Sequence, residues 1–405
     1  VVAELAPLDP APLYLDACAT APPAPEVLAA IAAAQRTAWA NPSSLHGFGL
    51  EAADLLERCR MRIAAGLGCG ADALVFSSGG TEAIHMALLG AAAPLAPGRL
   101  LLSAVEHPAT TAAAARLEER GWQVQMVPVD RAGRLDLAAF EALLEPPTRL
   151  VSIIWGQSEV GTVQAIEPIG ARCRQAGVPL HVDAVQLVGH RLVNFDQLPV
   201  DLLSCAAHKL QGPRGVGALL VRPGLPFVAP MRGGGQEGGR RGGTEPVPLV
   251  AGFAAALELA QERLRQHDGQ DPLAAQRDQL LAALLRQPGL ELTGVDPRQA
   301  PLQRLPHHIS LLARGSGGEP LSGRQLVRAL WRHGLATSSG SACSSGSSAT
   351  GLGASPVLQA MGYSTAAAAA GLRLSLGPWL DAASLELVPP TLAAAWRELD
   401  QRCAG

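Results

Sequence analysis

The sequence predicts an α/β fold: a mostly parallel sheet covered by helices, followed by a smaller α+β unit. Three observations carry that prediction: apolar runs interleaved with helical patterns, the absence of polar alternation within those runs, and a change of character near residue 250. From residue 74 onward "ALVFSS" precedes "GGTEAIHMALLGA", "RLLLSA" precedes "HPATTAAAARLEERG", and "RLVSIIW" precedes "IEPIGARCRQAG". The runs "VPLHVDAVQ", "VDLLSC" and "VGALLVR" follow. Continuous apolar strands alternating with helices mark a sheet buried on both faces. After residue 250 come the helical "LVAGFAAALELAQERLRQH" and "LAAQRDQLLAALLRQPG", the strand-like "GLELTG" and "HHISLL", the helical "SGRQLVRALWRHG" and the strand-like "GLRLSLG". The expected division is a large domain over 15–255 and a small domain made of 1–14 and 256–405.

Composition narrows the function. The chain has 405 residues, 48% of them hydrophobic, enough to bury large cores. A net charge of -3 and a pI near 6.4 give no basic footprint, so nucleic acid and anionic membrane are not expected partners. Apolar segments are broken by Pro, Gly or charge too often to span a bilayer. "VVAELAPLDPAPLYLD" lacks the basic and apolar regions of a secretory signal, which makes the cytoplasm the expected compartment. Seven cysteines, at 18, 59, 69, 173, 205, 343 and 403, form no CxxC pair and no zinc-spaced cluster with histidine. Neither a disulfide framework nor a metal site is expected.

Three local features carry chemistry. "VFSSGGTEAIHMAL" reads as a strand, a Ser/Gly turn and a helix beginning near Thr81, and helix N-termini approached through glycines such as Gly80 cradle phosphates. In "HVDAVQLVGH" Asp183 closes a strand, where an α/β sheet points its carboxylates into the ligand crevice. In "SCAAHKLQGPRGVG" Lys209 follows a strand and precedes a glycine-rich loop. Each has an ordinary structural reading too: a glycine turn, a helix-capping aspartate, an exposed lysine. Together they supply what a pyridoxal phosphate (PLP) site needs: a lysine for the Schiff base, an acid facing the pyridine nitrogen and a phosphate cup.

Over most of its length the sequence resembles the cysteine desulfurases of the class V aminotransferase group, in their NifS/IscS-like branch. The motifs that carry the resemblance are "LYLDACATAPPAPEVLAA", "NPSSLHGFG", "SSGGTEA", "EHPA", "EVGTVQ", "HVDAVQ", "HKLQGPRGVGAL", "GGGQEGGRRGGTE", "SSGSAC" and "GLRLSLG". It implies a fold type I PLP-dependent transferase in which Lys209 carries the cofactor and Asp183 faces its ring nitrogen. His107 would stack on the ring and Gln186 would contact its phenolic oxygen. Gly80, Thr81 and His208 would hold the phosphate, joined by Thr244 from the second subunit of a homodimer. Arg373 would take the substrate carboxylate, with Asn41 nearby. A helix-capping histidine and a surface arginine are the ordinary alternatives for His107 and Arg373.

The tract "LATSSGSACSSGSSATGLG" places Cys343 among small polar residues that cannot pack, in an expected mobile loop over about 337–353. The resemblance implies that this thiol takes the sulfur of L-cysteine as a persulfide, releases alanine, and passes the sulfur to an acceptor such as an iron–sulfur scaffold protein. Loop mobility would let one thiol serve both places. Two departures stand out. "GQSEVG" puts Gln157 and Ser158 where the family has paired asparagines, leaving Ser158 as the shorter contact to the ring, and Ala206 replaces a phosphate-cup serine. The alternatives are a cysteine or cystine C–S lyase, a selenocysteine lyase, and a PLP-fold accessory protein without turnover. Cys343 speaks against a direct lyase, and the lysine, acid, histidine and arginine set speaks against an inert protein.

Overall fold

The structure is a computed structural model and describes residues 12–340 and 353–404. The strands in chain order are β1 Leu13–Tyr14, β2 Leu74–Ser77, β3 Arg99–Ser103, β4 Gln123–Val127, β5 Thr148–Ile154 and β6 Leu180–Asp183. They continue with β7 Leu202–Ala206, β8 Gly217–Val221, β9 Leu290–Leu292, β10 His308–Ala313, β11 Leu335–Ala336 and β12 Gly371–Ser375. Seven of them form one sheet in the order β2-β8-β7-β6-β5-β3-β4. Only β8 runs antiparallel to its neighbours β2 and β7; the other pairs are parallel. Strands β6, β7 and β8 are buried at every residue; β7 and β8 accordingly read as mainly apolar runs, while β6 also buries His181 and Asp183. Strand β4 escapes such a reading because its sequence, QVQMV, alternates polar and apolar residues and sits at the exposed sheet edge.

Helices α1 Pro25–Thr37, α2 Gly47–Leu67, α3 Gly80–Ala92, α4 Pro108–Glu118, α5 Leu137–Leu144, α6 Ile166–Ala176 and α7 Val247–Arg265 accompany this sheet. One apolar cluster joins Val27, Leu56, Ile63 and Phe253 to the strand residues Val151, Val182 and Leu203. A second joins Ile84, Leu88, Ala113 and Leu117 to Leu100, Leu150 and Leu219 on the sheet's other face. Successive strand residues point to opposite faces, so both halves of each strand are spent on packing.

The smaller unit contains α8 Leu273–Leu284, α9 Gly323–Arg332 and the antiparallel sheet β12-β10-β9. Its core gathers Leu15 with Leu273, Leu281, Leu311, Leu330, Leu374 and Trp396. A fourth cluster places Val105 and Ile154 of the large sheet against Leu312 and Leu358. It seals the seam beside which the functional residues gather.

Candidate active site

A cavity of about 570 Å³ opens where the C-terminal ends of β3, β5, β6 and β7 meet the start of α3 and the strand β12. That is the ligand crevice expected of an open α/β sheet. Gly80, Thr81, His107, Ser158, Asp183, Gln186, His208, Lys209 and Arg373 all line it. Nine of the twelve residues singled out from the sequence thus line one cavity. Asn41 and Thr244 are exposed elsewhere, and Cys343 lies outside the described residues.

Lys209 ends a short 3-10 turn, Ala207–Lys209, directly after β7. Its Nζ donates to the carbonyl oxygens of Cys18 at 2.6 Å and Ala19 at 2.9 Å. It is also the single lysine of the sequence; every other residue among the 32 Lys and Arg is arginine. Asp183 ends β6 almost fully buried, and its Oδ1 accepts the Val185 N–H at 3.0 Å. Burial pushes its carboxyl up, opposed by His107, the Val185 amide and Lys209. Two residues earlier on the same face of β6, His181 bridges Ser152 Oγ and Ser204 Oγ, each at 2.8 Å. Burial holds this ring down to about 3, so it is neutral and pins β6 between β5 and β7.

Of the two readings that the sequence allowed for His107, the structure shows the helix cap and leaves the ring free to face the cavity. This residue is the N-cap of α4, its Nδ1 accepting the Ala109 N–H at 3.1 Å, and its ring lines the cavity. While neutral, that ring carries its proton on Nε2. Gln186 donates from Nε2 to the Cys18 carbonyl at 2.9 Å. His208 meets Thr20 Oγ1 at 3.1 Å, and burial, with Lys209 and Arg214 nearby, lowers it to about 4.

The phosphate cradle expected at "SSGGTEA" is the N-terminus of α3, which begins at Gly80, one residue before the expected Thr81. Its N-cap, Gly79, adopts φ 150, a conformation for glycine. At Gly80 a Cβ would come within 2.8 Å of Val185 Cγ2, so a side chain there would close the approach.

Arg373, in β12, is buried. It donates from one terminal nitrogen to the Ser158 carbonyl at 3.0 Å and from the other to Asp16 Oδ1 at 2.7 Å. Its Nε is buried without a protein partner. The strand also holds the chain leading to Cys343: Ser338 and Arg373 exchange backbone hydrogen bonds of 3.1 and 2.7 Å. Thr337 and Ser338, the first residues of the expected loop, are therefore buried, and Ser338 is paired with β12.

Four cavity residues had no role in the sequence reading. Gln157 is spent locally: its Oε1 accepts the Glu159 and Val160 amides, and its Nε2 donates to Val105 O at 3.1 Å. Glu106 accepts from Ser103 Oγ at 2.5 Å and Ile154 N at 2.8 Å, and burial raises its carboxyl to about 8. Glu159 is raised to about 7, again by burial, with Ser355 and Arg373 opposing. Cys18 supplies the carbonyl that receives both Lys209 and Gln186. A carboxylate next to the "EHPA" histidine and another inside "EVGTVQ" were visible signals; a backbone carbonyl from residue 18 was not.

The Aminotransferase class-V profile matches residues 13–388, and the chain belongs to that family. It is 39% identical over 388 residues to a cysteine desulfurase of Cereibacter sphaeroides, across 93% of this chain and 95% of that one. A solved NifS-like protein superposes with a TM-score of 0.85 at 29% identity, covering 96% of this chain and all of the other. SspA in complex with cysteine superposes with a TM-score of 0.77, also at 29% identity, over 91% of this chain and 99% of that chain.

Proposed function

We propose that the protein is a PLP-dependent L-cysteine desulfurase that forms alanine and a persulfide on Cys343. The observation that carries the reading is the cavity in which the Lys209 amine, the buried Asp183 carboxyl, the His107 imidazole, a helix N-terminus and the buried Arg373 guanidinium converge. PLP fits this set: Lys209 would join it, Asp183 would balance a protonated ring nitrogen, and the Gly80–Thr81 start of α3 would hold its phosphate. The cofactor, when bound, supplies an electron sink next to the substrate's α-carbon.

The chain's own residues do the rest. Arg373, braced by Asp16 and Ser158, offers Nε and the adjoining nitrogen edge to the substrate carboxylate. His107 presents an N–H to the cavity, because its Nδ1 is occupied by the Ala109 amide. The Cys343 thiolate attacks the sulfur of the substrate; an S–S bond forms, the C–S bond breaks, and its electron pair stays with the substrate carbon, which takes up a proton. The persulfide then serves a protein acceptor. Alanine release and a 32 Da sulfur adduct on the Cys343 peptide, read by mass spectrometry after incubation with L-cysteine, test the reading. Sulfide and pyruvate without an adduct would replace it by a C–S lyase.

A homodimer completes the reading. Trp39, Leu45, Phe48 and Leu50 are exposed around the start of α2, with Trp39 and Phe48 in ring contact at 5.7 Å. Pro42 and Ser43 share a groove with Gly235, Gln236 and Gly238 of the Arg/Gly loop. In that loop Glu237 is clamped by Arg60, and Arg241 pairs with Glu82 in the first turn of α3, while Thr244 is exposed and outside the lining of its own chain's cavity. An apolar patch beside an anchored loop suits a second copy of the chain, whose cofactor phosphate Thr244 would reach. Light scattering tests this. Among the described residues no helix is long and apolar enough to cross a membrane. The free thiols of Cys18, Cys59, Cys69, Cys173 and Cys205 suit the reducing cytoplasm.

A further inference from the structure

Cys18 is the residue on which the functional side chains of the cavity converge, and each of its polar groups is engaged. Its N–H donates to Ser375 Oγ at 2.9 Å, its thiol lies 3.3 Å from His307 Nε2, and its carbonyl receives Lys209 Nζ and Gln186 Nε2. The thiol's partner is itself anchored. His307, 1% exposed, stacks on His190 with ring centroids 3.7 Å apart and planes 13° from parallel. His190 meets Asp271 Oδ2 at 2.8 Å, and Arg263 reaches the same oxygen at 3.2 Å.

A buried thiol at the end of such a chain has a definite mechanical consequence. The peptide groups on either side of residue 19 carry the two carbonyls that hold the Lys209 amine. The turn's backbone is held by the Ala19 and Thr20 amides on Asp16 O at 3.0 and 3.4 Å, by the Tyr14 hydroxyl, which donates to Thr20 O at 2.8 Å, and by the Ala21 amide on His208 O at 2.8 Å. The sulfur adds a side-chain tether from this turn to a rigid stack of rings, at the residue whose carbonyl receives the lysine, and preorganised support of this kind is what keeps a reacting group within reach of its target.

We propose that Cys18 is a positioning residue for Lys209: its thiol, tethered to His307 on the His190–Asp271 stack, fixes the peptide carbonyls that hold the lysine amine in the cavity. The proposal rests on Lys209 being the residue that receives the cofactor, but its test does not require turnover. Because Lys209 is the only lysine, acylation of the cofactor-free protein by acetic anhydride, mapped by peptide mass spectrometry, reports this amine separately from the chain's α-amine.

Two carbonyl acceptors favour the ammonium over the reactive free amine. Cys18→Ala should thus raise the acylation rate of Lys209 about fivefold at neutral pH, the equivalent of one neutral hydrogen bond. His307→Phe, which keeps a ring stacked on His190 but removes the nitrogen facing the sulfur, should reproduce that increase. Cys18→Ser, which retains a polar hydrogen at the position, should restore the wild-type rate. The cofactor-free variants should also take up PLP more slowly than the wild type. Unchanged Lys209 acylation in both Cys18→Ala and His307→Phe overturns the proposal, even if melting temperatures fall, since a fall alone marks a packing role. Should Cys18→Ala not fold, His307→Phe decides. A wild-type protein that makes no alanine from cysteine sinks the desulfurase reading and leaves the labelling result standing.

Discussion

The two walls of the cavity are built in opposite ways. On the large-sheet side, Asp183 and Lys209 stand at the ends of adjacent strands, and their placement follows from β6 and β7 lying in register, His181 to Leu202 and Asp183 to Ser204. On the small-sheet side, Arg373 is held by partners remote in sequence, Asp16 and Ser158. The first wall is a product of strand geometry and would persist without any one side chain. The second is an assembly of side chains across the seam, and losing one member loosens it. Substitutions should therefore separate chemistry from stability on the first wall and merge them on the second.

The largest effects test that separation. Lys209→Ala should abolish turnover and leave no side-chain amine to which borohydride can fix PLP, while the melting temperature stays close to the wild type, because the turn after β7 keeps its backbone. A fixed cofactor in this variant would move the site elsewhere. Cys343→Ser should likewise cut alanine formation by orders of magnitude while the visible spectrum of the cofactor is retained, since the thiol is proposed to act on substrate sulfur and not on the ring's anchors.

On the second wall, Arg373→Met should lower kcat/KM for cysteine roughly tenfold to a hundredfold, mainly through KM, as expected for one charge-assisted carboxylate contact. It should also destabilise the cofactor-free protein by about 3 kcal/mol, because Asp16 keeps a partly buried charge without its partner. Thermal melting beside steady-state kinetics checks both halves. A change in kcat/KM with no change in melting would erase the distinction between the walls.

What the sequence made legible divides along the same line. Asp183, Lys209 and the α3 start could be found because strand, turn and helix are local patterns whose residues arrive together. The edge strand β4 could not, since an exposed edge has no continuous apolar run. The support for Arg373 and the Cys18–His307 contact join residues hundreds of positions apart, and no periodicity records such a meeting. Asn41 is spent near its own chain position, its Oδ1 accepting the Ser43 N–H at 2.9 Å. One strong signal was present in plain composition: a chain this rich in arginine retains a single lysine, and it is the one in the cavity.

The buried acids give a pH test of intermediate size. Glu106, behind Asp183 on the large-sheet wall, is raised from its ordinary 4.5 to about 8, with burial the largest cause. The folded state therefore holds a proton that the unfolded chain has lost. Stability from this group is fully present below pH 4.5 and declines as pH rises toward 8. Glu106→Gln should gain on the wild type across that window, by up to roughly 4 kcal/mol, with no advantage at pH 4. Melting curves of the cofactor-free pair at pH 4, 6 and 8 decide it; parallel profiles would mean that the carboxyl is ionised within the fold.

The smallest effect concerns Ala206, which ends β7 beneath the start of α3 and is 1% exposed. Its Cβ lies 3.7 Å from the position that a Cβ on Gly80 would occupy, so a hydroxyl added there would point toward the helix N-terminus that is proposed to hold the phosphate. In the cofactor-free protein Ala206→Ser buries a new hydroxyl and should lower stability slightly, by about 1 kcal/mol. With the phosphate present the hydroxyl gains an acceptor, and PLP should bind about fivefold tighter. The two signs must be opposite for the cup to lie where the first wall puts it. Measured by PLP titration and by melting with and without cofactor, a variant that loses stability and gains no affinity would show that backbone amides and His208 already complete the cup, so that this wall needs no further side chain to hold the phosphate.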